Sequence, residues 1–338
     1  MKKNEGFENM RQPSWHGLLR KSGGLSISLA ALVLFAAAET PAVVWTNSWA
    51  VGIGAAGRTN WSSSAIWVGG VVPGSSAGDT ITFTAPNNNA MITNDYGNVT
   101  VGQMNFLAKP MKNHILQKDS NNYGFTFNNN GNGASLANGA NEIAGDVAIF
   151  NPITLADNLS IINNASGDGS ITLTGSIGES GGSRSLNIYS AFAANGGVIL
   201  AGANTYSGGT TIGTGGKLTA KTSSSLGAGD IIVANEGTLV LKKATAIDRG
   251  AGLIVGSTSV LSLNFTGFCT VSSVSLDGGT TWLAAGNYDA AALSLLGTGT
   301  YTGTGKLNVT LESAKPNTIG LVGMAGECLL WMRHVFTI

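Results

Sequence analysis

The sequence predicts an all-β protein, a right-handed parallel β-helix with a Trp-rich N-terminal cap and a β-hairpin C-terminal cap. The first observation is a repeat, because Leu218, Leu239 and Leu261 are 21 and 22 residues apart (239 − 218 and 261 − 239). A step of this length is typical of a solenoid, whose coils must stack to bury their apolar faces. The second is alternation, since Leu239 and Leu241 would share one face of a strand.

A second apolar register supports the same stacking. Ile212, Ile232, Ile254 and Val274 follow one another at steps of 20, 22 and 20 residues (232 − 212, 254 − 232 and 274 − 254). The connectors between the apolar runs are rich in glycine, which disfavours helices and allows sharp bends. We therefore expect these four side chains to stack in one column.

The clearest motif is Asn-Thr-Tyr-Ser-Gly-Gly-Thr-Thr, in the segment 196–241. This segment resembles the autotransporter-associated β-strand repeat, also called the passenger-associated transport repeat. The resemblance implies an extracytoplasmic bacterial β-helix, usually without enzyme activity. We assign a structural role to the motif residues Gly202, Asn204, Thr205, Tyr206, Gly208, Gly209, Thr210 and Thr211.

Composition excludes several classes of protein. The formal net charge of the 338-residue chain is +0 and only 11% of residues are charged, against about a quarter in typical domains. The chain is therefore neither a basic nucleic-acid binder nor an acidic disordered tail. Two distant cysteines, Cys269 and Cys328, exclude a disulfide framework. We expect each to be a small buried apolar group.

Residues 1–38 are predicted to be a secretory signal peptide. A basic region that includes Lys2 and Lys3 precedes the apolar run 25–38, which is too short to span a bilayer comfortably. Ala36 and Ala38 fit the small residues of a cleavage site before Glu39. An uncleaved N-terminal anchor is the alternative.

The next segment, 39–110, is predicted to be an N-terminal β capping module. It holds four of the seven tryptophans, namely Trp45, Trp49, Trp61 and Trp67. Its turn Trp67-Val68-Gly69-Gly70, followed by Pro73 and a strand from Asp79 to Phe83, resembles the opening module of many proteins with this repeat, in which a Trp-Gly-Gly-x-x-Pro turn precedes an Asp-x-x-x-Phe strand. Large aromatic side chains can cover the open end of a solenoid. The functional alternative is a platform of tryptophan rings on which sugars stack.

The central segment 111–265 is predicted to be the parallel β-helix, with its repeat core at 196–241. Its many asparagines are expected in turns and in ladders between coils. The segment 266–312 is predicted to be the C-terminal β cap, because Asp277-Gly278 between two strand runs is a hairpin signal. It also resembles the closing module that often ends such proteins.

The tail, 313–338, contains a mostly apolar run, 319–332, which is followed by Arg333. Its layout is similar to a PEP-CTERM sorting signal, although Pro-Glu-Pro is absent and Glu327 interrupts the apolar run. Two interpretations remain open: a degenerate sorting signal and a plain cap or ragged terminus.

No catalytic, cofactor-binding or metal-binding residue is predicted. Between the signal segment and the tail there is one histidine, His114, too few for a histidine-based triad or a multi-histidine metal site. Parallel β-helices do include enzymes that cleave polysaccharides, and these need two carboxylates a few ångströms apart. The candidate acids are scattered: Asp146, Asp157, Asp168, Asp230, Glu236 and Asp248. We therefore expect no enzyme activity and no cofactor.

Two functions are compatible with these sequence features. The first is a non-catalytic structural or adhesin-like solenoid, secreted or on the surface of a bacterial cell. Its expected partners are surface glycans or envelope and matrix components, and nucleic acid is not expected as a partner. It would contact a membrane only through the signal peptide or the tail. The alternative is a carbohydrate-active β-helix that binds or cleaves a polysaccharide. Acids and bases clustered across adjacent coils would favour the alternative.

Overall fold

A computed structural model describes residues 43–46, 57–74, 76–84, 89–107, 112–139, 145–165, 168–190 and 196–311. All of these residues belong to one compact unit, Thr40–Ile338. The predicted signal peptide 1–38, with Ala36 and Ala38, and the predicted tail 313–338 lie outside the described residues.

The described residues are nearly all β, with 27 strands, one α-helix and a short 3-10 helix at Ser64–Ile66. The first fourteen strands are β1 Val44–Thr46, β2 Arg58–Asn60, β3 Thr80–Phe83, β4 Ala90–Asn94, β5 Val99–Val101, β6 Gln103–Phe106, β7 His114–Lys118, β8 Phe125–Phe127, β9 Ala134–Asn138, β10 Val147–Ile149, β11 Ile153–Leu155, β12 Leu159–Asn163, β13 Ser170–Leu173 and β14 Ile177–Glu179. The remaining elements are β15 Leu186–Tyr189, β16 Gly197–Leu200, β17 Thr210–Ile212, β18 Lys217–Ala220, β19 Ile231–Val233, β20 Thr238–Leu241, β21 Gly252–Val255, β22 Val260–Leu263, β23 Phe268–Val271, β24 Ser273–Ser275, β25 Gly286–Asp289, α1 Ala290–Leu296, β26 Thr300–Gly303 and β27 Lys306–Val309.

Three parallel sheets run along the molecule. The first has ten strands in the order β1-β3-β6-β9-β12-β15-β17-β19-β21-β24. The second has ten in the order β2-β4-β7-β10-β13-β16-β18-β20-β22-β26, and the third has four, β14-β11-β8-β5. Successive strands belong to the three sheets in turn. Strands β9, β10 and β11 lie in the first, second and third sheets, and β12 then pairs with β9 in the first sheet again. The predicted parallel β-solenoid is therefore confirmed.

The core consists of the inward-facing residues of every coil. Leu218 pairs with Leu239, and Leu239 with Leu261, so the predicted leucine column is confirmed. All three side chains have no exposed surface. Full burial of each leucine contributes about 1.5–3 kcal/mol. Leu239 and Leu241 both point inward, as their spacing of two residues predicted.

The second predicted register holds for one of its three steps, since Ile232 pairs with Ile254, and is displaced by one residue at the other two. Ile212 pairs with Val233, whereas Ile232 pairs with Thr211 on one side and Ile254 on the other. Ile232 is 40% exposed, so it lies on the outer face of the solenoid. Because alternate residues of a strand point to opposite faces, a shift of one position exchanges the inside for the outside.

The strands of the N-terminal segment 39–110 belong to the same sheets as the rest of the solenoid, since β1 pairs with β3 and β2 with β4. The large aromatic side chains fill the core of these first coils. Trp61 and Trp67 are buried, with ring centroids 5.0 Å apart, and the Trp61 ring lies 5.4 Å from that of Phe125.

At the C-terminal end, the antiparallel pair differs from the predicted hairpin. Strand β25 pairs antiparallel with β27, and α1 and β26 lie between them in the chain. The carboxylate of Asp277 accepts hydrogen bonds from the amides of Thr280 and Thr281 at 2.9 Å each. These bonds form a side-chain turn after β24, and β24 pairs with β21 instead of with the following strand.

An asparagine ladder occurs where two coils of the first sheet stack. Asn138 and Asn163 pair in register and are both 1% exposed. The Asn163 amide nitrogen donates to the carbonyls of Gly169 and Gly197 at 2.9 and 3.1 Å. Buried amides persist in such a core because the backbone of the next coil satisfies them.

Candidate functional site

The repeat motif lies at the corner of the solenoid that continues the third sheet. The Thr205 amide donates to the carbonyl of Ile177 at 2.8 Å, which extends the ladder beyond β14. Asn204 is buried here, and its Oδ1 accepts from the Ile177 amide at 2.8 Å. Its Nδ2 donates to the Ser225 carbonyl of the following coil at 2.6 Å. One side chain therefore links three successive coils.

Tyr206 fills the core behind Asn204. Its side chain has no exposed surface, and its hydroxyl lies 2.6 Å from Thr210 Oγ1. Thr210 Oγ1 in turn donates to the Leu226 carbonyl at 3.3 Å, so the tyrosine hydroxyl is the donor of the pair. Burial raises the pKa of the Tyr206 hydroxyl, although the bond to Thr210 opposes the rise. Tyr206 therefore packs as a neutral core residue.

The glycines of the motif allow close approach between coils. A Cβ on Gly208 would lie 2.5 Å from the carbonyl carbon of Arg184, and a Cβ on Gly202 would meet the carbonyl of Gly175. Gly209 has φ +84°, and a Cβ there would lie 2.6 Å from the Asp230 carbonyl. Thr211 is the outward residue of β17. Asn204, Tyr206 and the motif glycines therefore make contacts between coils, whereas Thr211 lies on the outer face.

Replacing Tyr206 with phenylalanine is expected to lower the free energy of unfolding by about 1 kcal/mol, because one buried hydrogen bond is lost while Thr210 keeps its bond to Leu226. Tyr189, 44% exposed on β15, supplies the control. Tyr189→Phe should change stability by less than about 0.5 kcal/mol. Chemical denaturation followed by circular dichroism measures both variants, and equal stabilities would contradict the assigned bond.

The candidate acids are distributed over several coils. Asp146 Oδ1 accepts from Ser170 on the next coil, and Asp157 Oδ2 accepts from the amide of Asn129 on the previous one. Asp230 binds the Gly252 amide at 2.7 Å. Asp157 is buried, and the other five candidates are exposed, namely Asp146, Asp168, Asp230, Glu236 and Asp248. Among the described residues no three His, Cys, Asp or Glu side chains are close enough to hold a metal ion.

Other carboxylates form the same kind of link between coils. Glu179 accepts from the amide and hydroxyl of Ser207 at 3.0 and 2.7 Å. Burial opposes the ionisation of Glu179, but the bonds from Ser207 outweigh it and hold its pKa below the usual range. The pKa of Asp95 is lowered in the same way, because two bonds from Ser62 outweigh desolvation. Carboxylates here act as acceptors for the backbone of a neighbouring coil.

Trp61 and Trp67 do not form a platform for stacking sugars. Trp61 is 0% and Trp67 3% exposed, so neither ring has a face open to a ligand. Trp45 is half-buried, and its Nε1 donates to Asp79 at 3.0 Å. Trp49 lies outside the described residues. Trp61 and Trp67 therefore contribute to packing.

Cys269 is buried on β23, as predicted, whereas Cys328 lies outside the described residues. Burial raises the pKa of the Cys269 thiol to about 11, although a backbone hydrogen bond with Ile247 opposes the rise. A thiol in this state is inert as a nucleophile.

His114 lies in the core among aromatic rings, 5.2 Å from the ring centroid of Phe106 and 6.3 Å from that of Phe83. Desolvation lowers its pKa from 6.5 to about 4, although a bond with Thr84 opposes the shift. The folded state therefore favours the neutral ring. The stability that this provides is present above pH 6.5 and is lost as the pH falls toward 4.

We expect the free energy of unfolding to fall by about 2 kcal/mol between pH 7 and 5 because His114 resists protonation in the fold. His114→Leu should abolish this dependence, whatever its own stability at pH 7. Chemical denaturation at half-unit pH steps measures the slope. An unchanged slope in the variant would show that other groups cause it.

The outer face of the first sheet is uncharged along most of its length. Six neutral polar residues stand in register on consecutive strands from β3 to β17: Thr80, Gln103, Ser135, Ser160, Asn187 and Thr211. Ile232 and Ile254 continue the column. Neighbouring strands lie about 4.8 Å apart, so this face repeats hydroxyl and amide groups at that spacing.

No protein-family model, curated protein or solved structure matches this chain. Among the described residues, no helix has the length and apolar character needed to cross a membrane. The resemblance of 196–241 to the autotransporter-associated repeat stays a prediction.

Proposed function

We propose that this chain is a non-catalytic structural protein of adhesin type, secreted by a bacterium or held on its surface. The observation that carries the proposal is the use of polar side chains as links between coils. Asn204, Asp157, Glu179 and Asp230 all bond to the backbone of a neighbouring coil. Such bonds between coils stiffen the stack.

The mechanism of such a protein is geometric. Stacked coils hold a regular surface at fixed spacing, and each repeated group can make one weak contact. The uncharged column from Thr80 to Thr211 has this regularity. Many weak contacts along one rigid surface raise the overall affinity without any deep pocket.

We infer from the predicted signal peptide, 1–38, that the chain is exported. We infer from the motif in 196–241 that the chain is related to proteins with the autotransporter-associated repeat. Cleavage after Ala38 would release a chain that begins at Glu39. The tail 313–338 would serve as a sorting signal or a plain terminus, and either is compatible with an exported solenoid.

Protease shaving of intact bacterial cells tests the location. An epitope tag is inserted at Gly182, in an exposed loop after β14, and each cell fraction is blotted. We expect the tag in the surface or medium fraction, on a polypeptide whose N-terminus is near Glu39. A tag held in the cytoplasm with 1–38 intact would overturn the proposal.

The non-catalytic part of the proposal has its own test. The purified chain is incubated with a panel of acidic and neutral polysaccharides, and new reducing ends and unsaturated sugar products are measured. We expect neither to rise above a heat-denatured control. Product formation that Asp230→Asn abolishes would favour the carbohydrate-active alternative.

A further inference from the structure

A cluster of cations lies where the second sheet ends and the chain turns toward the third corner. The amides of Lys221 and Lys242 donate to the carbonyls of Leu200 and Ala220, each at 2.9 Å, so the two lysines hold equivalent positions on adjacent coils. Their backbones are therefore about 4.8 Å apart. Lys243 follows directly, and all three side chains are exposed.

Two shallow depressions lie beside the residues that follow Lys243 in the chain, since Ala244 and Thr245 line both. The larger, of about 570 Å³, is lined by Lys242 and Lys243 together with polar groups that include Asn264, Thr266 and Thr304. Asn264 belongs to the next coil, since its amide donates to the carbonyl of Leu241. This depression therefore combines positive charge with hydroxyl and amide groups from adjacent coils.

The smaller depression, of about 240 Å³, is lined by Arg249, Asp248 and the aromatic ring of Phe268. Phe268 is 52% exposed. Ala244 and Thr245 line both depressions, which are therefore adjacent, and we call the two together the basic groove.

The cations of the basic groove form no ion pair with the described residues of the protein. In the part of the chain that the structure describes, the one ion pair joins Lys306 and Asp289, with 4.0 Å between Nζ and Oδ2. Asp248, the single acid that lines the groove, accepts the Gly250 amide at 2.8 Å. Lys242, Lys243 and Arg249 therefore present an excess of positive charge on a chain that is otherwise close to neutral.

We propose that the basic groove binds an acidic polysaccharide, a chain of hydroxyl-rich sugar rings that carry carboxylates. The two lysines and Arg249 would pair with carboxylates, and the polar groups between them would bond with sugar hydroxyls. The exposed Phe268 ring offers an apolar surface for one face of a sugar. An acidic polysaccharide is thus the proposed class of partner for the surface protein proposed above, and this proposal rests on that proposed function.

The lining of the groove favours a polysaccharide over a nucleic acid. Hydroxyl and amide groups such as Thr245, Thr304 and Asn264 both donate and accept hydrogen bonds, which matches sugar hydroxyls. A single exposed aromatic ring provides little stacking for bases, and proteins that bind duplexes neutralise many more phosphates than this groove could.

The experiment measures binding of fluorescent polygalacturonate to the purified chain at low and at moderate salt. We expect binding that weakens as salt rises, and no binding of neutral dextran. The double variant Lys242→Glu/Lys243→Glu should lose affinity by about tenfold or more. The matched control, Lys112→Glu/Lys118→Glu, changes the net charge equally on a distant coil and should bind within about twofold of wild type.

Three outcomes would overturn the proposal: no polygalacturonate binding by the wild type, an equal loss in both double variants, or tighter binding to duplex DNA or to anionic phosphatidylglycerol vesicles. Circular dichroism of each variant confirms that the fold is kept. This proposal and the proposed function can fail independently. Polysaccharide binding is measured on purified protein, whereas the location of the chain is measured on whole cells.

Discussion

Replacing Asn204 with leucine is expected to lower the free energy of unfolding by about 4 kcal/mol, because two buried backbone groups lose their partners. Leucine has a similar size but neither donates nor accepts hydrogen bonds. The Ile177 amide on one coil and the Ser225 carbonyl on another would both be left unsatisfied. Each such group costs about 1–3 kcal/mol.

The control for Asn204→Leu is Asn187→Ala. Asn187 is an outward, half-buried residue of β15, and its side chain makes no hydrogen bond within the described residues. Its replacement should change stability by less than about 0.5 kcal/mol. Denaturation monitored by circular dichroism compares the two. Similar losses in both would mean that Asn204 does not link the coils.

The leucine column could be predicted from the sequence because two signals agreed at Leu218, Leu239 and Leu261. Each leucine recurs at the length of one coil and is followed two residues later by another small or apolar residue, which fixes the inward face. The isoleucine register failed at Ile231–Val233, where three β-branched residues stand in a row. In such a run the alternation of apolar and polar residues is lost, so the sequence does not show which side chains point inward. The face on which Ile232 lies could therefore not be predicted.

The bonds between coils could not be predicted, although the residues that make them were visible. Asn204 was recognised in a motif, but its partners are 27 residues before it and 21 after it. Which amide a side chain meets depends on the length of every intervening turn. The basic groove was missed for the same reason, since Lys242, Arg249 and Phe268 come together only when consecutive coils stack.

The C-terminal cap shows how a local signal can mislead. Asp277-Gly278 does form a turn, as its sequence predicted, but the Asp277 carboxylate binds amides within that turn. The bond from the Thr281 amide, with a further one from its hydroxyl, holds the pKa of Asp277 at about 2. The strand that follows, β25, pairs with β27.

Trp61→Ala is expected to destabilise the N-terminal coils by about 4 kcal/mol, because a fully buried aromatic side chain leaves a large cavity. The ring packs against Trp67, Phe83 and Phe125, and its Nε1 donates to the Pro73 carbonyl at 3.2 Å. These contacts join the first coils to the third sheet.

The loss in Trp61→Ala should be local. In a solenoid each coil contacts mainly its neighbours, so a defect at one end loosens that end first. Amide hydrogen exchange should accelerate in 57–107, while β17–β22 keep the protection of the wild type. Tyr96→Ala provides the control, because that ring is 52% exposed in the same region and should leave exchange unchanged. Uniform acceleration along the whole chain would instead mean that the solenoid unfolds as one cooperative unit, with Trp61 supporting all of it.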